Sequence, residues 1–177
     1  MGRILSLVLV LLLLTGCAGP QPVEAGAFLL DTYVSIRIYG GDEDTVQGAL
    51  ELCRQYEAIF SRTDPDSELC RLNRREIAAV SPALAEAVSR GLAVGRLTDG
   101  AFDITMGSVT RLWDFHGESP SLPDSAAVAE ALTHTGWEKV RVEGDAVLFD
   151  DPETSLDLGG IAKGYIADCL ADYLRGE

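Results

Sequence analysis

The chain has 177 residues, with 28 Asp and Glu against 14 Lys and Arg, a formal net charge of −14 and 47 % hydrophobic residues. That apolar share excludes a disordered chain, and the length fits one domain or the front part of a larger one. The acidity argues against a broad nucleic-acid surface, which needs clustered Lys and Arg, and against electrostatic adhesion to anionic lipid.

The first seventeen residues read as an address. Arg3 precedes an apolar run from Ile4 to Leu14, broken by Ser6. This run is too short for a bilayer core, which takes about 20 residues, but it fits the apolar region of a secretory signal. Leu14-Thr15-Gly16-Cys17 then looks like a bacterial lipobox, which implies cleavage before Cys17 and lipid attached to it. Acyl chains, at about 0.8 kcal/mol per buried CH₂, would anchor an exported protein to the cell membrane, facing the periplasm or the exterior. Residues 18–26 then form a tether, and residues 27–177 the folded part.

Along that part, Phe28 to Tyr39 predicts a half-buried strand, with Val34, Ile36 and Ile38 alternating against polar neighbours. Val46, Leu50, Cys53, Tyr56 and Phe60 recur at helical spacing. A loop over 61–67 leads to a short helix over 68–73. Ser81 caps a helix that opens on Pro82 and stops at Asp99-Gly100. Residues 101–117 fit no period. Asp124-Ser125 starts another helix. Residues 137–142 and 146–149 read as a hairpin around Gly144. Leu156-Asp157-Leu158 reads as a strand, Gly159-Gly160 as a turn and 161–174 as a helix. Cys53, Cys70 and Cys169 lack metal-ligand spacing; one disulfide is open, and Cys53 and Cys169 read as small packed hydrophobes.

Three segments carry candidate chemistry. In TSLDLGGIAKGYIAD, residues 154–168, a strand ends in a double glycine and a helix opens. Glycines admit close ligand approach, and the helix start offers unpaired N–H groups suited to phosphate. Lys163, one of only two lysines in the chain, sits in that first turn against the helix dipole. The residues fit equally a plain strand–helix turn with a solvated lysine. In Gly100 to Gly107 and Leu112 to Phe115, aromatic, small and acidic residues interleave without period, as in pockets for flat ligands or in a buried connector. Phe60 to Asn73 reads as a polar loop with helix caps, functional or merely structural.

Together these segments resemble one family, the ApbE-type FAD:protein FMN transferases, lipoproteins formerly linked to thiamine biosynthesis. The matching motifs are DPDSELCRLN at 64–73, GAFDIT with LWDF at 100–115, LDLGGIAKGY at 156–165 and Leu30-Asp31-Thr32. The resemblance implies an α+β domain, a mixed sheet with flanking helices, incomplete at its C-terminus. It lacks the family's C-terminal half, which supplies carboxylate and hydroxyl metal ligands and a histidine motif. His116 and His134 match no catalytic histidine of the family, and His134 reads as structural.

The implied reaction is Mg²⁺-dependent transfer of FMN from FAD to a Thr or Ser hydroxyl of an acceptor protein, a membrane redox subunit, with release of AMP. Alternatives are an FAD pyrophosphatase and a non-catalytic FAD-binding lipoprotein. By match to family positions, Leu30, Thr63, Ala101, Phe102, Asp103, Asp157 and Lys163 contact FAD, and Gly160 offers its carbonyl to the metal. Thr63 stands where many members place an aromatic residue. A hard cation plus a lysine offsets charge built up as the pyrophosphate breaks, and a locally positive site would draw FAD to an acidic protein.

Overall fold

The structure, a computed structural model, describes residue 19 and residues 21–113 and 122–176. Strands β1 (Pro22–Leu29) and β2 (Thr32–Tyr39) pair antiparallel, with Leu29 opposite Thr32. Only Leu30 and Asp31 connect them, and both have left-handed backbone, with φ of 57° and 55°. A two-residue hairpin loop wants positive φ at both positions, normally from Asn-Gly. Leucine and aspartate adopt it here at about 1–2 kcal/mol each. The single strand expected over 28–39 is therefore the end of one strand, a turn and a second strand. The alternation of Val34, Ile36 and Ile38 belongs to β2, and β1 alternates as well, turning Val23, Ala25, Ala27 and Leu29 inward. Residues 22–26, expected in a tether, lie in β1.

Helix α1 (Glu43–Phe60) starts where Asp42 accepts the Thr45 N–H at 2.9 Å. Its apolar stripe, Val46, Ala49, Leu50, Cys53 and Phe60, is buried, each large side chain contributing roughly 1.5–3 kcal/mol. The stripe packs against β1, β2 and helix α6 (Ala162–Gly176). Helix α2 (Glu68–Asn73) is capped by Ser67, and α3 (Pro82–Leu97) by Ser81 with Pro82 in its first turn. The Glu68 carboxylate accepts from the Ser81 hydroxyl at 2.6 Å and ties these two helices together. Short helix α4 (Gly107–Thr110) lies in the stretch without period. Helix α5 (Ser125–Thr133), capped by Asp124, precedes a single 3-10 turn and the hairpin of β3 (Val140–Glu143) and β4 (Ala146–Phe149).

The α+β class holds. Among the described residues the strands form two separate antiparallel hairpins rather than one mixed sheet. The strand expected at 156–158 is absent: only Ser155 forms an isolated parallel bridge, to Met106. Cys53, Cys70 and Cys169 are free thiols, so the open disulfide does not form; Cys53 is fully buried and Cys169 half-buried. Among the described residues, no helix is long and apolar enough to cross a membrane.

Candidate functional site

Residues 154–160 run out toward the surface at Gly159-Gly160 without a ladder, held by side chains and one long-range backbone bond. The Asn73 amide donates to the Leu156 carbonyl at 2.9 Å and accepts the Leu156 N–H at 2.8 Å. Buried Ser108 accepts the Ser155 N–H at 2.8 Å. The Asp157 N–H donates to the Ile104 carbonyl at 2.8 Å. Gly107 makes this approach possible, since a Cβ there would meet the Leu156 carbonyl carbon at 2.6 Å.

The Asp157 carboxylate is fixed in turn. Its Oδ1 accepts the Gly159 N–H at 2.8 Å, its Oδ2 accepts the Thr110 hydroxyl at 2.9 Å, and the Arg62 Nε lies 3.8 Å from that oxygen. Its side chain is 18 % exposed and that of Arg62 32 %. Asp157 opens onto a cleft of about 150 Å³ walled by the β1–β2 turn (Leu30, Asp31), the end of α1 and its following loop (Glu57, Phe60, Ser61, Arg62), and the start of α6 (Ala162, Lys163, Ile166). Behind it, Phe60 packs edge-on against Tyr165 at 5.6 Å and stacks on Tyr56 at 5.8 Å. Burial pushes both tyrosine hydroxyls up, that of Tyr56 to about 12.

Three predicted site residues, Leu30, Asp157 and Lys163, thus meet in one cleft from distant parts of the chain. Lys163 is exposed and, among the described residues, makes no hydrogen bond or ion pair. Thr63 lies in an adjoining hollow, which Glu57 and Ser61 also border. Ala101, Phe102 and Asp103 do not line the cleft. Phe102 lies against the Gly160 turn, where a Cβ would fall 2.9 Å from its ring. Asp103 uses its Oδ1 to accept from the Thr105 N–H and hydroxyl at 2.8 and 2.7 Å.

The cleft is not locally positive: Asp31, Glu57 and Asp157 face it alongside Arg62 and Lys163. Backbone N–H groups occupy one carboxylate oxygen each of Glu57 and Asp157. Sequence reasoning missed Glu57 and Arg62. Arg62 sits in the 60–73 segment, two residues before the DPDSELCRLN motif, and Glu57 falls on the apolar stripe of α1, between Cys53 and Phe60, where a carboxylate among buried residues was the available signal.

Among the described residues, no cluster of three or more His, Cys, Asp or Glu could hold a metal ion. Gly160 therefore stands without a carboxylate cluster among the described residues; its carbonyl can supply one oxygen to Mg²⁺, an ion that keeps several waters in its shell. Cys17 and His116 lie outside the described residues. His134 caps α5, its Nδ1 2.9 Å from Asp151, in keeping with a structural role.

The ApbE family model matches residues 30–177. Among curated proteins, an FAD:protein FMN transferase of Vibrio cholerae is 33 % identical over 180 residues, covering 94 % of this chain and 53 % of the relative. One of Klebsiella pneumoniae is 31 % identical over 158 residues, covering 85 % and 49 %. Among solved structures, the flavin transferase ApbE from Vibrio cholerae has a TM-score of 0.80 at 28 % identity, over 88 % of this chain and 54 % of that one. The ApbE protein from Thermotoga maritima has a TM-score of 0.78 at 31 % identity, over 86 % and 52 %. The chain spans about half the length of these relatives.

Proposed function

The chain belongs to the ApbE family, and from that premise we propose that it is the flavin-nucleotide-binding portion of an FAD:protein FMN transferase. The relatives so named support flavin transfer as the activity of the whole protein. The observation that carries the reading is the meeting of Leu30, Asp157 and Lys163 in one cleft. The cleft is smaller than the 300–1,000 Å³ of a typical ligand pocket, so it takes part of a dinucleotide rather than the whole.

In the proposed reaction the hydroxyl oxygen of an acceptor Thr or Ser attacks the FMN-side phosphorus of FAD. The P–O bond to AMP breaks, AMP leaves with that electron pair, and the hydroxyl proton passes to a base. Leu30 contacts the flavin, and Lys163 offsets charge on the phosphate oxygens. Asp157, held by Thr110 and Gly159, orients the nucleotide, and Thr63, Ala101, Phe102 and Asp103 extend the site. Mg²⁺ belongs to this reading through family resemblance, with Gly160 as one ligand; no step is routed through it.

The proposal extends to place. Lipid on Cys17 anchors the protein to the bacterial cell membrane on its outer side, within reach of an acceptor that is a membrane redox subunit.

The test incubates the complete protein with FAD, Mg²⁺ and a Thr-bearing acceptor domain. Covalent flavin on the acceptor, with AMP in equal amount, is expected. Well-folded protein that yields neither product overturns the proposal. Free FMN formed without acceptor assigns a pyrophosphatase instead, and saturable FAD binding without turnover assigns a binding protein.

A further inference from the structure

We propose that Glu57 is a positioning residue of the cleft: its carboxylate sets the β1–β2 turn whose Leu30 forms one wall. Glu57 lies near the end of α1 and faces both the cleft and the hollow that holds Thr63. Its Oε1 accepts the Leu30 N–H at 2.7 Å, across 27 positions of sequence. A hydrogen bond to a charged acceptor is roughly twice as strong as a neutral one.

The turn needs such a hold. Leu30 and Asp31 are both left-handed; aspartate tolerates that conformation but leucine disfavours it, so Leu30 has no intrinsic preference for this shape. The register from Leu29–Thr32 onward fixes where the strands meet but not how the two loop residues present their side chains. The bond from α1 supplies that constraint. It also links the turn to Ser61 and Arg62, which follow on the same helix end and line the same cleft. The inference rests on the FAD reading above for the identity of the ligand.

The test has two arms. In ligand-free protein, amide hydrogen exchange is followed at the 30–32 turn in wild type, Glu57→Ala and Glu57→Gln. Binding of FAD is then compared with that of ADP, which lacks the flavin. Glu57→Ala is expected to speed exchange at the turn but not along α1, and to weaken FAD about tenfold while ADP changes less than about twofold. Glu57→Gln, which keeps an acceptor oxygen, retains most of the FAD affinity. Should Glu57→Ala not fold, Glu57→Asp shortens the reach and serves instead.

Unchanged exchange at the turn overturns the proposal. So does equal loss of FAD and ADP, or a Gln variant as weak as the Ala variant. If wild type takes up no FAD, the functional reading falls, while the exchange arm still decides whether Glu57 holds the turn.

Discussion

Asn73 and Leu156, 83 positions apart, are joined by a two-way hydrogen bond, amide to carbonyl at 2.9 Å and N–H to amide oxygen at 2.8 Å. The asparagine side chain acts as a one-residue strand neighbour. It satisfies both backbone groups of a residue that is 1 % exposed, directly before Asp157.

Removing that neighbour leaves a buried donor and a buried acceptor unpaired. Each unsatisfied group costs about 1–3 kcal/mol, so Asn73→Ala is expected to destabilise by at least about 2 kcal/mol. Asn73→Asp keeps the acceptor but turns a carboxylate oxygen toward the Leu156 carbonyl, and should not recover the loss. Denaturant unfolding of the three proteins checks this; an Asn73→Ala variant as stable as wild type would show that water replaces the amide without penalty.

This contact explains why part of the site was hidden in the sequence. Leu156-Asp157-Leu158 alternates like a strand, and both leucines are buried. What the alternation cannot show is the partner, here Asn73, Ser108 and the Ile104 carbonyl instead of a ladder. Helices were legible because their signals are local: Ser81 and Asp124 cap where the sequence placed helix starts, and Asp42 and Ser67, not singled out in the sequence, cap by the same side-chain chemistry. Glu57 was not: it interrupts the apolar stripe of α1 between Cys53 and Phe60, but the partner that its carboxylate meets there, the Leu30 N–H, is 27 positions away in sequence.

Two glycines should respond oppositely to alanine. At Gly107 the new Cβ would lie 2.6 Å from both the Leu156 carbonyl carbon and the Ser155 oxygen, which are backbone and cannot yield cheaply. Overpacking of this kind costs about 1–3 kcal/mol or more, and it pushes Asp157 out of place. At Gly164, inside α6, nothing lies within 4 Å, and alanine gains roughly 0.5–1 kcal/mol of helix propensity. Thermal melts of Gly107→Ala and Gly164→Ala should move down and up respectively; a stable Gly107→Ala protein would contradict the close approach.

Asp151 gives a pH signature. Its Oδ2 meets His134 Nδ1 at 2.9 Å and Lys139 Nζ at 3.4 Å, and its Oδ1 accepts the Glu153 N–H at 2.9 Å. The His134 contact first, then the Glu153 N–H, hold its carboxyl at about 2, below the usual 3.8. A depressed folded value means that stability is present above the unfolded value and is lost as pH falls through about 2. Asp151→Asn should therefore be less stable than wild type at pH 7, and the gap should close between pH 4 and about 2. A gap that stays constant through that window would assign the effect to packing instead of charge.

Lys163 separates function from stability. It lies in the first turn of α6, exposed and without a hydrogen bond or ion pair among the described residues. There its charge opposes the helix dipole by about 0.3–1 kcal/mol. The fold gains nothing visible from a cation at this place, whereas a phosphate in the cleft it borders would. Lys163→Ala is therefore expected to melt at the wild-type temperature or slightly above, and to bind FAD about tenfold or more weakly. Asp157→Ala should lose FAD and stability together, since it also strips partners from Thr110 and Gly159. Calorimetric titration with FAD beside thermal melts reads both quantities. A Lys163→Ala variant with wild-type FAD affinity would leave the lysine a solvated surface charge and move the phosphate site elsewhere.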